Sequence, residues 1–426
     1  MAEGALMGVP ANILQTVQTY QMSGLAFLQN LCCFVSTANT RFKDFDRFTA
    51  NLGDTVGFDL PPRFTTTNSL VANFQPSDQR VQTLTVNQQI STSYAFTDQQ
   101  FIFNVRDYME KFGRAAIAEI GTVIETNVAN NCQTQPFRFF GDGVTPINTY
   151  NQLAQALAFF RNFGAATHNV KGYLSDIAIP AIVGTGLNQF ALDRNNEDAM
   201  SWQLGRFSNC DWYQSNLLPV HTAGNIGAQV GGWTGQLTVT GVTLNAAGAV
   251  TAITATAAGV VGVDANAVFQ FDRFQFNDGV AGLPNMRFRT FIGHEVSASP
   301  VQFMATAGAA TNGGSSVTIQ ITPPLQANAT NDQNINVQIQ VNMTITAIPS
   351  HRAGMITGGD PLFLAMPQLP NETPYPTGNS IDPETGVSLR QYYGSLFGQN
   401  VRGMVHDCIW GSTAVPEYTM AVLFPL

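Results

Sequence analysis

The chain has 426 residues, of which 11% are charged, and a formal net charge of −9. Ordinary soluble domains carry about 25% charged residues. The 30 phenylalanines exclude a disordered chain, the scarcity of bases excludes an electrostatic grip on a phosphate backbone, and no apolar run approaches the ~20 residues of a spanning helix.

Only three of the 19 basic residues are lysines, Lys43, Lys111 and Lys171. A surface so poor in charge has little like-charge repulsion to keep copies apart, which points to a surface that is covered by assembly. At about 150 residues per domain, the length leaves room for two or three domains. The first ten residues lack the basic start and apolar core of a secretory signal.

Taken in order, residues 11–35 read as a helix. Ile13, Leu14, Val17, Tyr20, Leu25, Leu28 and Leu31 follow a period near 3.6. No charge occurs from Ala11 to Thr40, so this segment is expected to lie along a neighbouring subunit or partner. Phenylalanine then recurs every third residue among alternating charges, at Phe42, Phe45 and Phe48. From Gly53 to Thr97 two strand-rich stretches follow Pro61-Pro62, the stronger being Val81 to Tyr94. Forty-odd residues of hairpin between two helices are a long excursion, and such excursions are usually functional.

Residues 105–130 give the best helix. Tyr108, Phe112, Ala116, Ile120, Val123 and Ile124 line one face. Arg106 with Glu110, Asp107 with Lys111 and Glu110 with Arg114 are spaced as i,i+4 pairs on another. Further helices are expected near Asn151–Asn162 and Ile177–Asn188, a short strand at Tyr173–Asp176 and extended chain over Trp212–His221. Residues 224–345 change in composition: between Gly231 and Phe269 the single charge is Asp264. Strands are expected at Gln236–Val242, Val268–Phe276, Met286–Ile292, Ser316–Ile321 and Ile335–Ile348, which together read as a small barrel or sandwich inserted into a mixed domain. Beyond it come a short helix at Pro361–Met366, a loop at Pro370–Pro383 and strands at Val387–Phe397, Val401–Ile409 and Tyr418–Phe424.

The reactive residues form no catalytic pattern. Cys32, Cys33, Cys132, Cys210 and Cys408 contain no CxxC pair, and they read as buried thiols of a reducing compartment. His168, His221, His294, His351 and His406 match no metal-binding motif. His406-Asp407-Cys408 is adjacent in sequence, but neighbours on a strand point to opposite faces. Gly184-Thr185-Gly186 lacks the third glycine of a dinucleotide loop. The three Asn-x-Thr triplets, at Asn328, Asn342 and Asn371, are chance matches in an Asn-rich chain. The expected catalytic, cofactor-binding and metal sites are therefore none, and no cofactor is expected.

The order of elements and four segments resemble one family. Gly205 to Gly224, with Cys210-Asp211-Trp212-Tyr213 inside it, is similar to the stretch that leads into the insertion of podovirus coat proteins. Ile321-Thr322-Pro323-Pro324-Leu325 looks like a strand end within that insertion. Gly378 to Arg390 resembles the loop and strand after it. Trp410-Gly411 with Pro416-Glu417-Tyr418 resembles the C-terminal close. The family is that of tailed double-stranded DNA phage major capsid proteins with the Hong Kong 97-type (HK97-like) fold. The resemblance implies an α+β chain with a terminal arm, extended loop, long spine helix, peripheral and axial domains, and an inserted β-barrel-like domain.

On that resemblance, 1–50 are the arm and 51–98 the extended hairpin loop. Residues 99–146 are the spine helix and peripheral domain, 147–223 and 346–385 the two parts of the axial domain, 224–345 the insertion, and 386–426 the closing strands. The implied function is a shell of hexamers and pentamers of the chain, enclosing double-stranded DNA that it touches weakly. Scaffolding and portal proteins, and possible decoration proteins, are the implied partners; no membrane is. The implied place is the virion, after assembly in the host cytoplasm. A lysine crosslink between subunits is not implied, because the 53–97 hairpin contains no lysine. Two other readings stand beside this one. An encapsulin-like compartment shell keeps the architecture. A β-rich carbohydrate-binding or hydrolytic protein needs a cleft where carboxylates or histidines converge.

Overall fold

The computed structural model describes residues 33–40, 55–60, 64, 74, 80–97, 113–164, 168–186, 205–260, 262–290, 293–312, 314–328, 332–370, 377–381, 388–395 and 401–426. Most of the expected 11–35 helix, the Phe42–Phe48 segment, Pro61-Pro62, the start of the 105–130 helix with its ion pairs, and most of the 370–383 loop lie outside these residues. The chain divides into two compact units.

The first unit comprises residues 1–58, 82–128 and 362–413. Its centre is Val401–Ala414, a strand of 14 residues. On one side this strand pairs antiparallel with Ser388–Ser395, which pairs in turn with Thr377–Ile381. Residues Val401–Trp410 also run antiparallel to Gln88–Thr97 over its whole length. Leu362–Ala365 completes the five-stranded sheet. Leu84, Val86, Ala365 and Ile409 form a small apolar cluster. The helix Arg114–Ala129 keeps a buried stripe of Ile117, Ile120, Ile124 and Val128, the spacing of one helix face.

The second unit comprises residues 59–81, 129–361 and 414–426. Its seven-stranded sheet runs Phe139–Phe140, Thr419–Phe424, His351–Thr357, Val170–Ser175, Cys210–Ser215 and Arg206–Phe207, with Val220–His221 beside His351–Thr357. Val170–Ser175 and Cys210–Ser215 pair in parallel. There Trp212 lies over Gly172, where a Cβ would sit 2.3 Å from its ring, so only glycine fits. Strands buried in this way read as continuous apolar runs without alternation; all six residues of Thr419–Phe424 are buried. The helices Tyr150–Asn162 and Ala178–Gly186 pack on the sheet through Leu153, Leu157, Phe160, Ile179 and Ile182. The first begins with a reciprocal cap between Thr149 and Gln152.

The same unit holds a closed barrel of six strands, in spatial order Val250–Thr256, Ser316–Leu325, Gln302–Ala305, Arg273–Phe276, Thr344–Ala347 and Gln236–Leu244. Alternation fills it: Leu237, Val239, Ile253, Ala255, Phe274, Phe276, Phe303, Val317, Ile319 and Ile345 point inward. Phe274 stacks on Phe303 at 5.3 Å between ring centres. Outward positions are neutral and polar. Thr254 bonds Thr318 at 3.1 Å, Thr256 bonds Ser315 at 2.7 Å, and Thr240 donates to the Thr254 carbonyl.

The α+β class and the β-barrel-like insertion are thus both present, with local differences from the sequence expectation; the loop expected at Pro370–Pro383 contains the strand Thr377–Ile381, which finds a partner in Ser388–Ser395. Pro361–Met366 is not a helix: Leu362–Ala365 is a strand, because a four-residue apolar run has no helical length and finds a sheet edge. Val81–Tyr94 is two strands, interrupted at Val86-Asn87, and only the first pairs with Thr55–Leu60. Ile335–Ile348 shrinks to Thr344–Ala347 after a turn in which Asn342 takes φ +72°. Val268–Phe276 begins as a strand only at Arg273, after Phe271 at φ +70°.

Candidate functional site

The chain is poor in charge, yet it spends several charges inside. Glu125, Arg138, Asp272, Arg273, Arg390 and Asp407 are all buried. Isolated buried charges are costly, so each must be matched by partners. In the second unit these partners gather where the barrel meets the sheet.

His221 ends one strand and His351 opens its antiparallel neighbour, and the two pair directly. The barrel strands all lie between them in sequence. Asp272 and Arg273 bring the barrel wall back to this point. His221 Nε2 donates to Asp272 Oδ1 at 2.7 Å, while its Nδ1 accepts from Gln133 Nε2 at 2.8 Å. The carboxylate partner places a ring proton on Nε2. Asp272 also accepts from the backbone N–H groups of Gly224 and Phe269. A Cβ on Gly224 would stand 2.7 Å from the Ala267 carbonyl and 2.9 Å from Asp272 Oδ2, so the close approach requires glycine.

Arg273 is fully buried. It donates to His351 Nε2 at 2.8 Å and to the carbonyls of Cys132, Gln133 and Pro136. His351 Nδ1 donates to the Pro349 carbonyl. Burial, reinforced by the Arg273 charge, lowers the His351 pKa to about 3, so the ring is neutral. Burial likewise lowers Arg273 to about 10, still charged at pH 7.

Two further ties join barrel and sheet. Gln302, on a barrel strand, accepts from the Phe139 N–H and donates to the Phe139 carbonyl, both at 2.9 Å, replacing a strand partner at that edge. Phe288 meets Phe137 and Phe163 edge-on, at 5.8 and 5.7 Å. Arg138 lies 4.0 Å over the Phe163 ring and donates to the carbonyls of Phe160, Glu417 and Thr419.

This constellation is suited to fixing geometry and not to turnover. Both nitrogens of His221 and both of His351 are engaged inside the protein, so neither ring presents a free base to a substrate. In the first unit, His406, Asp407 and Cys408 are all buried within one strand. Asp407 takes a two-pronged bond from Arg390, His406 stacks on Tyr94, and burial with the Asp407 charge pushes the Cys408 thiol up to about 12. The three do not act as a trio. Cys132 and Cys210 are also buried, whereas Cys33 is half-buried. Among the described residues, no three His, Cys, Asp or Glu side chains gather as metal ligands would, and no helix is long and apolar enough to cross a membrane.

No family model matches the chain, and no curated protein does. Solved structures with a similar course of chain come from phages. A chain from Mycobacterium phage Che8 is 7% identical, with a TM-score of 0.45 over 92% of this chain and 90% of that one. A chain from the capsid of cyanophage P-SCSP1u is 9% identical, with a TM-score of 0.42 over 91% and 88%. One from the acid-stable capsid of Helicobacter pylori bacteriophage KHP30 is 8% identical, with a TM-score of 0.41 over 92% and 91%.

Proposed function

We propose that the chain is the major capsid protein of a tailed double-stranded DNA phage, a structural protein without catalytic activity. The observation that carries this reading is the point of insertion. A closed barrel is threaded between two paired strand ends, His221 and His351. That is where the resemblance of Gly205–Gly224 to the coat-protein lead-in segment calls for an insertion.

The chemistry supports the same reading. Shell subunits bury surface against several copies, so their faces need little charge. Heterologous contacts that close into rings build large symmetric shells. Carboxylates outnumber bases, 28 to 19, which suits a wall that holds packaged DNA loosely and lets it leave. In this reading 1–50 form the arm, 51–98 the extended loop and 99–146 the spine helix with the peripheral domain. Residues 147–223 and 346–385 form the axial domain, 224–345 the insertion and 386–426 the closing strands. Copies of the chain form hexamers and pentamers. Scaffolding and portal proteins direct assembly in the host cytoplasm, and the finished place is the virion.

Electron microscopy of the chain expressed with its scaffolding protein tests this. Closed particles of uniform diameter, built of five- and six-fold clusters, are expected. Only small soluble species under every condition would overturn the proposal.

A further inference from the structure

The charge-free segment Ala11–Thr40 has one described stretch, and that stretch is held by a charge from far away in sequence. Glu125 lies on the long helix Arg114–Ala129 and is buried. Its Oε1 accepts from the Phe34 N–H at 2.7 Å and its Oε2 from the Val35 N–H at 3.1 Å. These amides open the short helix Cys33–Thr37, in the first turn, where a helix's N–H groups lie beyond the reach of its own i−4 carbonyls. Phe34 and Val35 are themselves buried. The other end of the turn is closed by Ser36 and Thr37 hydroxyls donating to the Cys33 carbonyl. Two residues on, the Asn39 N–H donates to the Leu362 carbonyl at 2.7 Å and the Asn39 carbonyl accepts from Leu364. Asn39 thereby adds a parallel bridge to the strand Leu362–Ala365.

We propose that Glu125 is a positioning residue: it anchors residues 33–40 to the long helix. A carboxylate costs much to bury and is retained only where its bonds are needed. Here both carboxylate oxygens serve the backbone of Phe34 and Val35. The anchor stands on geometry in the single chain. Its use, holding residues 33–40 in place as subunits assemble, rests on the shell reading.

Hydrogen exchange on the unassembled full chain separates the two. Glu125→Gln keeps the shape and removes the charge, leaving one carbonyl for two amides. Amide exchange at Phe34 and Val35 is expected to accelerate at least tenfold, while protection over 117–124 stays unchanged. Asn39→Pro deletes the donor to Leu362 and is expected to loosen 36–40 without moving Val35. Unchanged exchange at Phe34 and Val35 in Glu125→Gln overturns the anchor. A uniform loss of protection across the first unit also overturns it, by making Glu125 a general stability residue. If the native chain forms no particles but the local acceleration is seen, the anchor stands and the shell reading fails.

Discussion

The barrel and the seven-stranded sheet of the second unit solve the same burial problem with different chemistry. The barrel has an apolar inside and a neutral outside: its six strands carry one charged residue, Arg273, and that residue leaves the barrel to serve the junction. Threonine hydroxyls bonded across the outer face do the work usually given to Lys and Glu. The sheet instead sits on buried Arg138, held by carbonyls and rings, and on the histidine pair, held by Asp272, Gln133, Arg273 and the Pro349 carbonyl. The difference teaches where a chain with few charges places them. They specify how two bodies join, while solubility is left to hydroxyls and amides.

The largest expected effect tests the apolar side. Phe303→Ala empties the stack between Phe274 and Phe276, and an aromatic truncation of this kind costs about 3–5 kcal/mol. Urea unfolding should show that loss; a change below about 1 kcal/mol would mean that the barrel core repacks freely. Next comes the junction. Arg273→Met removes the donor that three carbonyls and the His351 nitrogen share, and breaking such a buried set costs about 3 kcal/mol or more. The loss should be accompanied by faster exchange at the Phe139 edge as the barrel loosens its seat. If it remains confined to the barrel, the two bodies are independent.

Acid sharpens the comparison. His351 titrates near pH 3, through burial and then Arg273, and His406 near pH 4, through burial. The unfolded rings take up protons near the ordinary value of 6.5. Stability is therefore whole above about pH 6.5 and falls as pH drops, on the order of 1.4 kcal/mol per unit for each ring. The barrel strands contain no histidine. Exchange at pH 4.5 should thus rise in both sheets before it rises in Leu237–Val239 or Ile253–Ala255; simultaneous loss would contradict this. The smallest effect is at the neutral face, where Thr254→Val removes one hydroxyl pair and should change stability by less than about 1 kcal/mol.

The two regions also differ in how far their residues announced them. Gln236–Val242 and Ser316–Ile321 show their alternation, and Gln236–Leu244 pairs with the next strand in the chain, Val250–Thr256. Val250–Thr256 passed unseen because small residues blur the contrast between its faces. The sheet is harder to read. Phe139–Phe140 is two residues long, and its strands are buried on both faces, so no period marks them. The junction was not legible at all. Its bonds cross 51, 78 and 88 positions of sequence, and no local pattern relates Gln133 to His221 or Arg273 to His351. A faint signal was present: Asp272-Arg273 stands out in a charge-poor insertion, and the two histidines flank its ends.

In the proposed shell, the poorly charged surface is covered by copies of the chain. Sedimentation velocity of the full chain, alone and with its scaffolding protein, tests it most directly. A sharp, fast boundary of closed particles beside free subunits, with few sizes between, is expected. A single slow boundary of monomer at every concentration, with and without scaffold, would contradict it.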